Sequence, residues 1–96
     1  MNMLMIICPD GRQEEVRALI DRHDVHSYTE IQNVLGEGRT GKHLGTHTFP
    51  GQSALIFTVV PAGKMDELVQ ALKEYHEGLY EGEGLRVFAL PVESVL

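Results

Sequence analysis

The chain reads as an α+β protein of strand-helix-strand-strand-helix-strand order, with a four-stranded antiparallel sheet carrying both helices on one face. Three observations predict it. Short apolar or β-branched stretches occur at 4–8, within 25–35, at 53–60 and at 85–90, each bounded by turn residues. Two segments, 12–22 and 64–77, place apolar residues at helical spacing. The resulting βαββαβ order is that of the split βαβ, or ferredoxin-like, arrangement.

Each element has its own justification. Residues 4–8, Leu-Met-Ile-Ile-Cys, are apolar throughout and stop at Pro9-Asp10-Gly11, as a buried strand does, and Asp10 stands where it caps the next helix. Val16, Leu19, Ile20 and His23 follow the i, i+3, i+4, i+7 pattern and set one stripe on a helix over 12–22. Between 25 and 35, Tyr28, Thr29, Ile31, Val34 and Leu35 stand with polar residues interspersed, the composition of a partly exposed strand running into Gly36. Residues 53–60 are again nearly continuous in apolar character, and Pro61-Ala62-Gly63 ends them. Met65, Leu68, Val69 and Leu72 then stripe a second helix over 64–77. A second glycine-rich tract precedes the last strand, 85–90, which Pro91 closes.

Composition bounds the function. With 96 residues and 43% hydrophobic content, the chain is expected to form one domain over 1–96 with one core. Eight basic against 14 acidic residues give a net charge of −6, which disfavours a grip on phosphate backbones, so no nucleic-acid partner is expected. The apolar run 3–8 is too short to span a membrane and lacks a basic leader, so no membrane insertion and a cytoplasmic location are expected. The single cysteine, Cys8, lies in that run and reads as a buried small hydrophobe rather than a nucleophile.

Two helices cover only one face of such a sheet, yet the strands 4–8 and 54–60 are apolar on both faces. A strand buried on one side alone should alternate, so the second face is expected to pack against other copies of the chain.

Function points to the segment Gly36 to Gly51, GEGRTGKHLGTHTFPG, with five glycines, Arg39, Lys42, His43 and His47. An irregular loop of this length in so small a domain usually has a task. Gly36 to Gly41 fits G-x-G-x-x-G, and Gly36 to Lys42 fits the start of a P-loop, but neither opens a helix, so the aligned amides that give those motifs their anion affinity are absent. An anion nest of glycine amides with Arg39 or Lys42 remains. His43 and His47 have H-x-x-x-H spacing off a helix, and the alternative function is a divalent transition-metal module built on them. His23, His26 and His76 lie at helix ends and read as capping or surface residues, and Glu14-Glu15 and Asp66-Glu67 as first-turn charges favoured by the helix dipole. No Ser-His-Asp or Cys-His constellation is present, so no catalytic residue is expected. Glu83 and Arg86, at the second glycine-rich tract, attach to a strand end that can meet the first loop in a folded oligomer.

Taken together, the two loops and the βαββαβ order resemble the PII nitrogen-regulatory signal-transduction family. Pro9 followed by Gln13 to Leu19 is similar to that family's first strand-to-helix passage. Val34-Leu35-Gly36-Glu37-Gly38-Arg39-Thr40-Gly41-Lys42-His43 resembles its G-x-G-R-Q-x-G-H segment, which starts the partner-touching T-loop. Gly82-Glu83-Gly84 and Pro91-Val92-Glu93 resemble its B-loop and the P-V-E after its last strand. The resemblance implies a noncatalytic homotrimer that binds ATP or ADP in clefts between subunits and regulates a protein partner, a transporter or an enzyme, through a T-loop at 36–53. It implies ligand contacts at Gly36, Gly38, Arg39, Thr40 and Lys42, and at Gly82, Glu83, Gly84 and Arg86 around a B-loop at 78–84. Departures accompany the match. Thr40 replaces the glutamine that helps hold magnesium and 2-oxoglutarate, and Leu85 stands at the B-loop lysine position beside Arg86. The trailing arginines that grip phosphates do not follow Glu93, and no tyrosine lies in 36–51 for uridylylation, so a divergent, shortened relative is expected.

Overall fold

A computed structural model describes residues 1–35, 52–80 and 82–96. Six elements follow in the expected order: β1 (Asn2–Pro9), α1 (Gln13–Arg22), β2 (Thr29–Leu35), β3 (Gln52–Val60), α2 (Ala62–Glu77) and β4 (Arg86–Pro91). The sheet runs β2-β3-β1-β4, with β1 antiparallel to both β3 and β4 and β2 antiparallel to β3. The ferredoxin-like fold class is thus the one observed.

The core lies between the sheet and the helices. On β1 and β3 the alternate residues Leu4, Ile6, Cys8, Ala54, Ile56 and Val60 are buried, and they meet Val16, Leu19 and Ile20 of α1 and Met65, Leu68 and Leu72 of α2. These are the stripe residues that periodicity selects, save His23 and Val69: Val69 is only partly buried, and His23 is the C-cap of α1. Thr58, the one polar residue among the buried set of described residues, donates its hydroxyl to the Ser27 carbonyl at 2.6 Å, which offsets the cost of placing it there.

Strand pairing shows what occupies the other face. Directly paired residues of antiparallel strands share a face. Met3, Met5 and Ile7 of β1 therefore stand with Val59, Phe57 and Leu55 of β3, and with Leu90, Phe88 and Arg86 of β4. Ile31 joins them through its pairing with Leu55. No described helix packs there, and Val59 and Phe88 are about half exposed, at 49% and 48%.

Four local expectations are corrected. Asp10 does not cap α1: the N-cap is Arg12, with no side-chain cap bond, and Asp10 instead lies 3.4 Å from Gln13 Nε2. Helix α2 starts at Ala62, two residues before the expected point, because Pro61 takes an extended N-cap conformation and leaves the next residues free to coil. Asp66 and Glu67 consequently lie beyond its first turn, which holds no acidic residue, and Glu67 accepts from His23 Nδ1 at 2.6 Å across the helix pair. Val25 belongs to no strand. Asp24 sits in the left-handed region at φ 65°, its amide bonds the Asp21 carbonyl and the Val25 amide bonds the Ile20 carbonyl, which is a Schellman cap with buried Val25 as its apolar plug.

Candidate functional site

One end of the sheet collects the chemistry. The C-terminal ends of β1 and β2 and the N-terminal ends of β3 and β4 lie together there, as the pairs Pro9 with Ser53, Leu35 with Gln52, and Ile7 with Arg86 show. The backbone amide of Asp10 donates to the Gln52 carbonyl at 3.1 Å, so the turn into α1 is fastened beside the residue where the chain re-enters the sheet. The start of α1, the end of α2 and the turn at 80–84 complete this end.

That turn is built around Glu83. Its amide donates to the Tyr80 carbonyl at 3.0 Å, and its carboxylate Oε1 accepts from the Tyr80 amide at 2.9 Å. Arg12 then grips the same carboxylate with two parallel bonds, Nη2 to Oε1 at 2.9 Å and Nε to Oε2 at 3.0 Å. Such a fork is the strongest geometry open to a guanidinium and a carboxylate. The remaining nitrogen, Nη1, reaches both Glu15 oxygens at 3.1 Å, one turn along α1. Glu15 in turn accepts the Tyr75 hydroxyl at 2.6 Å, and the Tyr80 ring lies 5.6 Å from the Arg12 guanidinium carbon. Gly82 bends the turn with φ at 95°, a conformation glycine adopts without strain.

The electrostatics follow these contacts. Arg12 and then the Tyr80 amide hold the Glu83 carboxyl below the usual carboxylate range. Glu15 is also lowered, first by the Tyr75 hydroxyl and then by Arg12. Burial, followed by the bond to Glu15, pushes the Tyr75 phenol up. Arg12 is held more firmly protonated by Glu83 above all.

Among the expected ligand contacts, Gly82, Glu83 and Gly84 share this turn. Arg86 opens β4 and, paired with Ile7, belongs to the face without helices, whereas Leu85 packs against the core. The one-residue step between Leu85 and Arg86 thus reverses the face. Gly36, Gly38, Arg39, Thr40, Lys42 and the metal candidates His43 and His47 lie outside the described residues. Among the described residues, no three His, Cys, Asp or Glu side chains are grouped to hold a metal. Sequence reasoning missed Arg12, Glu15, Tyr75 and Tyr80. Only the i, i+3 spacing of Arg12 and Glu15 gives a local signal, because Arg12 and Glu83 are 71 positions apart.

The fold and this loop-bearing sheet end define a small α+β protein of the ferredoxin-like class, and comparison with known families narrows it further. Residues 1–96 match the model of the nitrogen regulatory protein P-II family, and the chain belongs to that family. None of the curated proteins compared matches it. Solved structures of CPII, a nitrogen regulatory PII-like protein from Thiomonas intermedia, are similar in fold. One, bound to ADP, AMP and bicarbonate, has 22% identity and a TM-score of 0.70 over 99% of this chain and 94% of that one. A second, bound to ADP and bicarbonate, has 25% identity and a TM-score of 0.67 over 95% and 86%. Its apo form has 21% identity and a TM-score of 0.67 over 95% and 89%. No helix among the described residues is long and apolar enough to cross a membrane.

Proposed function

We propose that this chain is a noncatalytic, cytoplasmic signal-transduction protein of the PII type. It folds as one domain over 1–96, assembles as a homotrimer and senses a small anionic ligand, ATP or ADP, in clefts between subunits. Its T-loop-like segment 36–53 and B-loop-like turn 78–84 hold the ligand, with contacts from Gly36, Gly38, Arg39, Thr40 and Lys42 on one side and Gly82, Glu83, Gly84 and Arg86 on the other. The state of 36–53 then decides whether a protein partner, a transporter or an enzyme, is engaged or released.

The observation that carries this reading is the convergence at one sheet end of the turn at 80–84 with both points where 36–51 joins the sheet, Leu35 and Gln52. A ligand seated there touches both segments. The adenine nucleotides bound by CPII support the ligand class. The uncovered apolar face supports the assembly, since self-association removes it from water.

The test is calorimetric titration of ADP, and of ATP with magnesium, into metal-free protein of known oligomeric mass. Saturation near one nucleotide per subunit is expected, with at least tenfold weakening in Arg39→Ala, about the value of a lost charge-assisted contact. Silence with both nucleotides overturns the adenylate reading and turns attention to divalent metals at His43 and His47.

A further inference from the structure

The Arg12–Glu83 fork does more than close a turn. We propose that it is a latch: a phosphate-bearing ligand seated at the 80–84 turn takes the Arg12 guanidinium from Glu83, so that Arg12 is a ligand-binding residue and Glu83 its internal competitor. The latch deepens the function proposed above and rests on its placing of the ligand, but it changes the part of Glu83, whose carboxylate gives way to the ligand instead of holding it.

Four observations carry it. The Nε and Nη2 edge of Arg12 now spent on Glu83 is the edge a guanidinium offers to phosphate, since carboxylate and phosphate present the same pair of oxygens. Nη1 stays bound to Glu15 within α1, and the Tyr80 ring lies against the guanidinium, so Arg12 remains aimed at the turn while its outer edge changes partner. Space is present: a methyl group built on Gly82 or Gly84 meets no atom within 4 Å. Finally, Arg12 already faces two carboxylates, Glu15 and Glu83. A diphosphate arriving with Glu83 in place meets like charge, and it binds only as Glu83 leaves. In the ligand-free chain the binding-competent fraction is therefore small, and apparent affinity is reduced by that fraction.

The experiment titrates ADP and, separately, inorganic pyrophosphate into the full-length protein and into Glu83→Gln, Arg12→Gln and the double variant, with thermal melting to verify folding. Glu83→Gln keeps the shape of the side chain and removes its charge, and it is expected to bind about fivefold tighter than wild type. Arg12→Gln is expected to bind at least about tenfold more weakly. The double variant should stay weaker than wild type and differ from Arg12→Gln only by the like charge removed with Glu83, because without Arg12 the loss of Glu83 frees no guanidinium. If Arg12→Gln does not fold, Arg12→Lys keeps the charge without the fork and should weaken binding in the same direction. A pair that only braces the turn weakens binding from either side, so unchanged or weaker ADP binding by Glu83→Gln overturns the latch and leaves the adenylate reading standing. The expected order with pyrophosphate, in protein silent to ADP, upholds the latch and overturns the adenylate reading. Silence of every variant to both ligands overturns both.

Discussion

At the scale of single residues, burial decides more than chemistry does. Cys8 has no solvent exposure, and burial above all pushes its thiol up to about 11. A thiol protonated and enclosed at neutral pH does not react. Alkylation of the folded protein is expected to proceed only as fast as the chain opens, which labelling rates across a urea series will show. The sign with pH follows. The unfolded thiol titrates near 9, so the stabilisation is complete below pH 9 and is lost as pH rises toward 11. Leu68, fully buried between α2 and the sheet, should cost about 3 kcal/mol when cut to alanine, read from denaturant midpoints. Burial of this kind was legible, since Cys8 and Leu68 sit in patterns that place them inside. The partners of Arg12 were not. Opposite charges 71 positions apart leave no periodic trace, and only the fold brings them within 3.0 Å.

At the scale of elements, strand and helix identity came through while several ends did not, and each miss has a local cause. Val25 carries β propensity, but the Schellman cap behind Asp24 uses it as a plug and delays β2 until Thr29. In β2 the register slips between Ile31 and Val34, and Asn33 takes φ 59°. This bulge has no periodic signature in the sequence, although Asn tolerates the left-handed region better than most residues. Asn33→Gly is expected to fold with unchanged stability, while Asn33→Val should lose about 1–2 kcal/mol in denaturant unfolding. The pairing of α1 with the 80–84 turn adds a pH dependence. Arg12 lowers Glu83, whose stabilisation is therefore present above the ordinary value of 4.5 and lost as pH falls through the depressed one. The acid limb of stability against pH should be shallower in Glu83→Gln than in wild type.

At the scale of the whole molecule, the sheet divides the chain into a face sealed by two helices and a face bearing Met3, Met5, Phe57, Val59, Phe88 and Leu90. The unbroken apolar runs made that second face legible from the sequence, whereas what seats against it is set by contacts that one sequence does not display. Phe88→Glu sets a charge in the middle of that face. Sedimentation should show the trimer of the proposed function giving way to smaller species, and a mass unchanged from wild type would remove this face from the assembly. The same sheet has two ends of different make-up. Opposite the loops, the Val92 amide donates to the Met1 carbonyl at 3.1 Å, so the first and last strands leave the sheet side by side. Along the eight residues of β1 this lies about 25 Å from the Arg12 turn. A short bridge from beyond Val92 to Met1 spans almost no gap. The order of the elements can therefore be rewired as a circular permutant, and reporter groups carried on that junction stand clear of the proposed ligand seat.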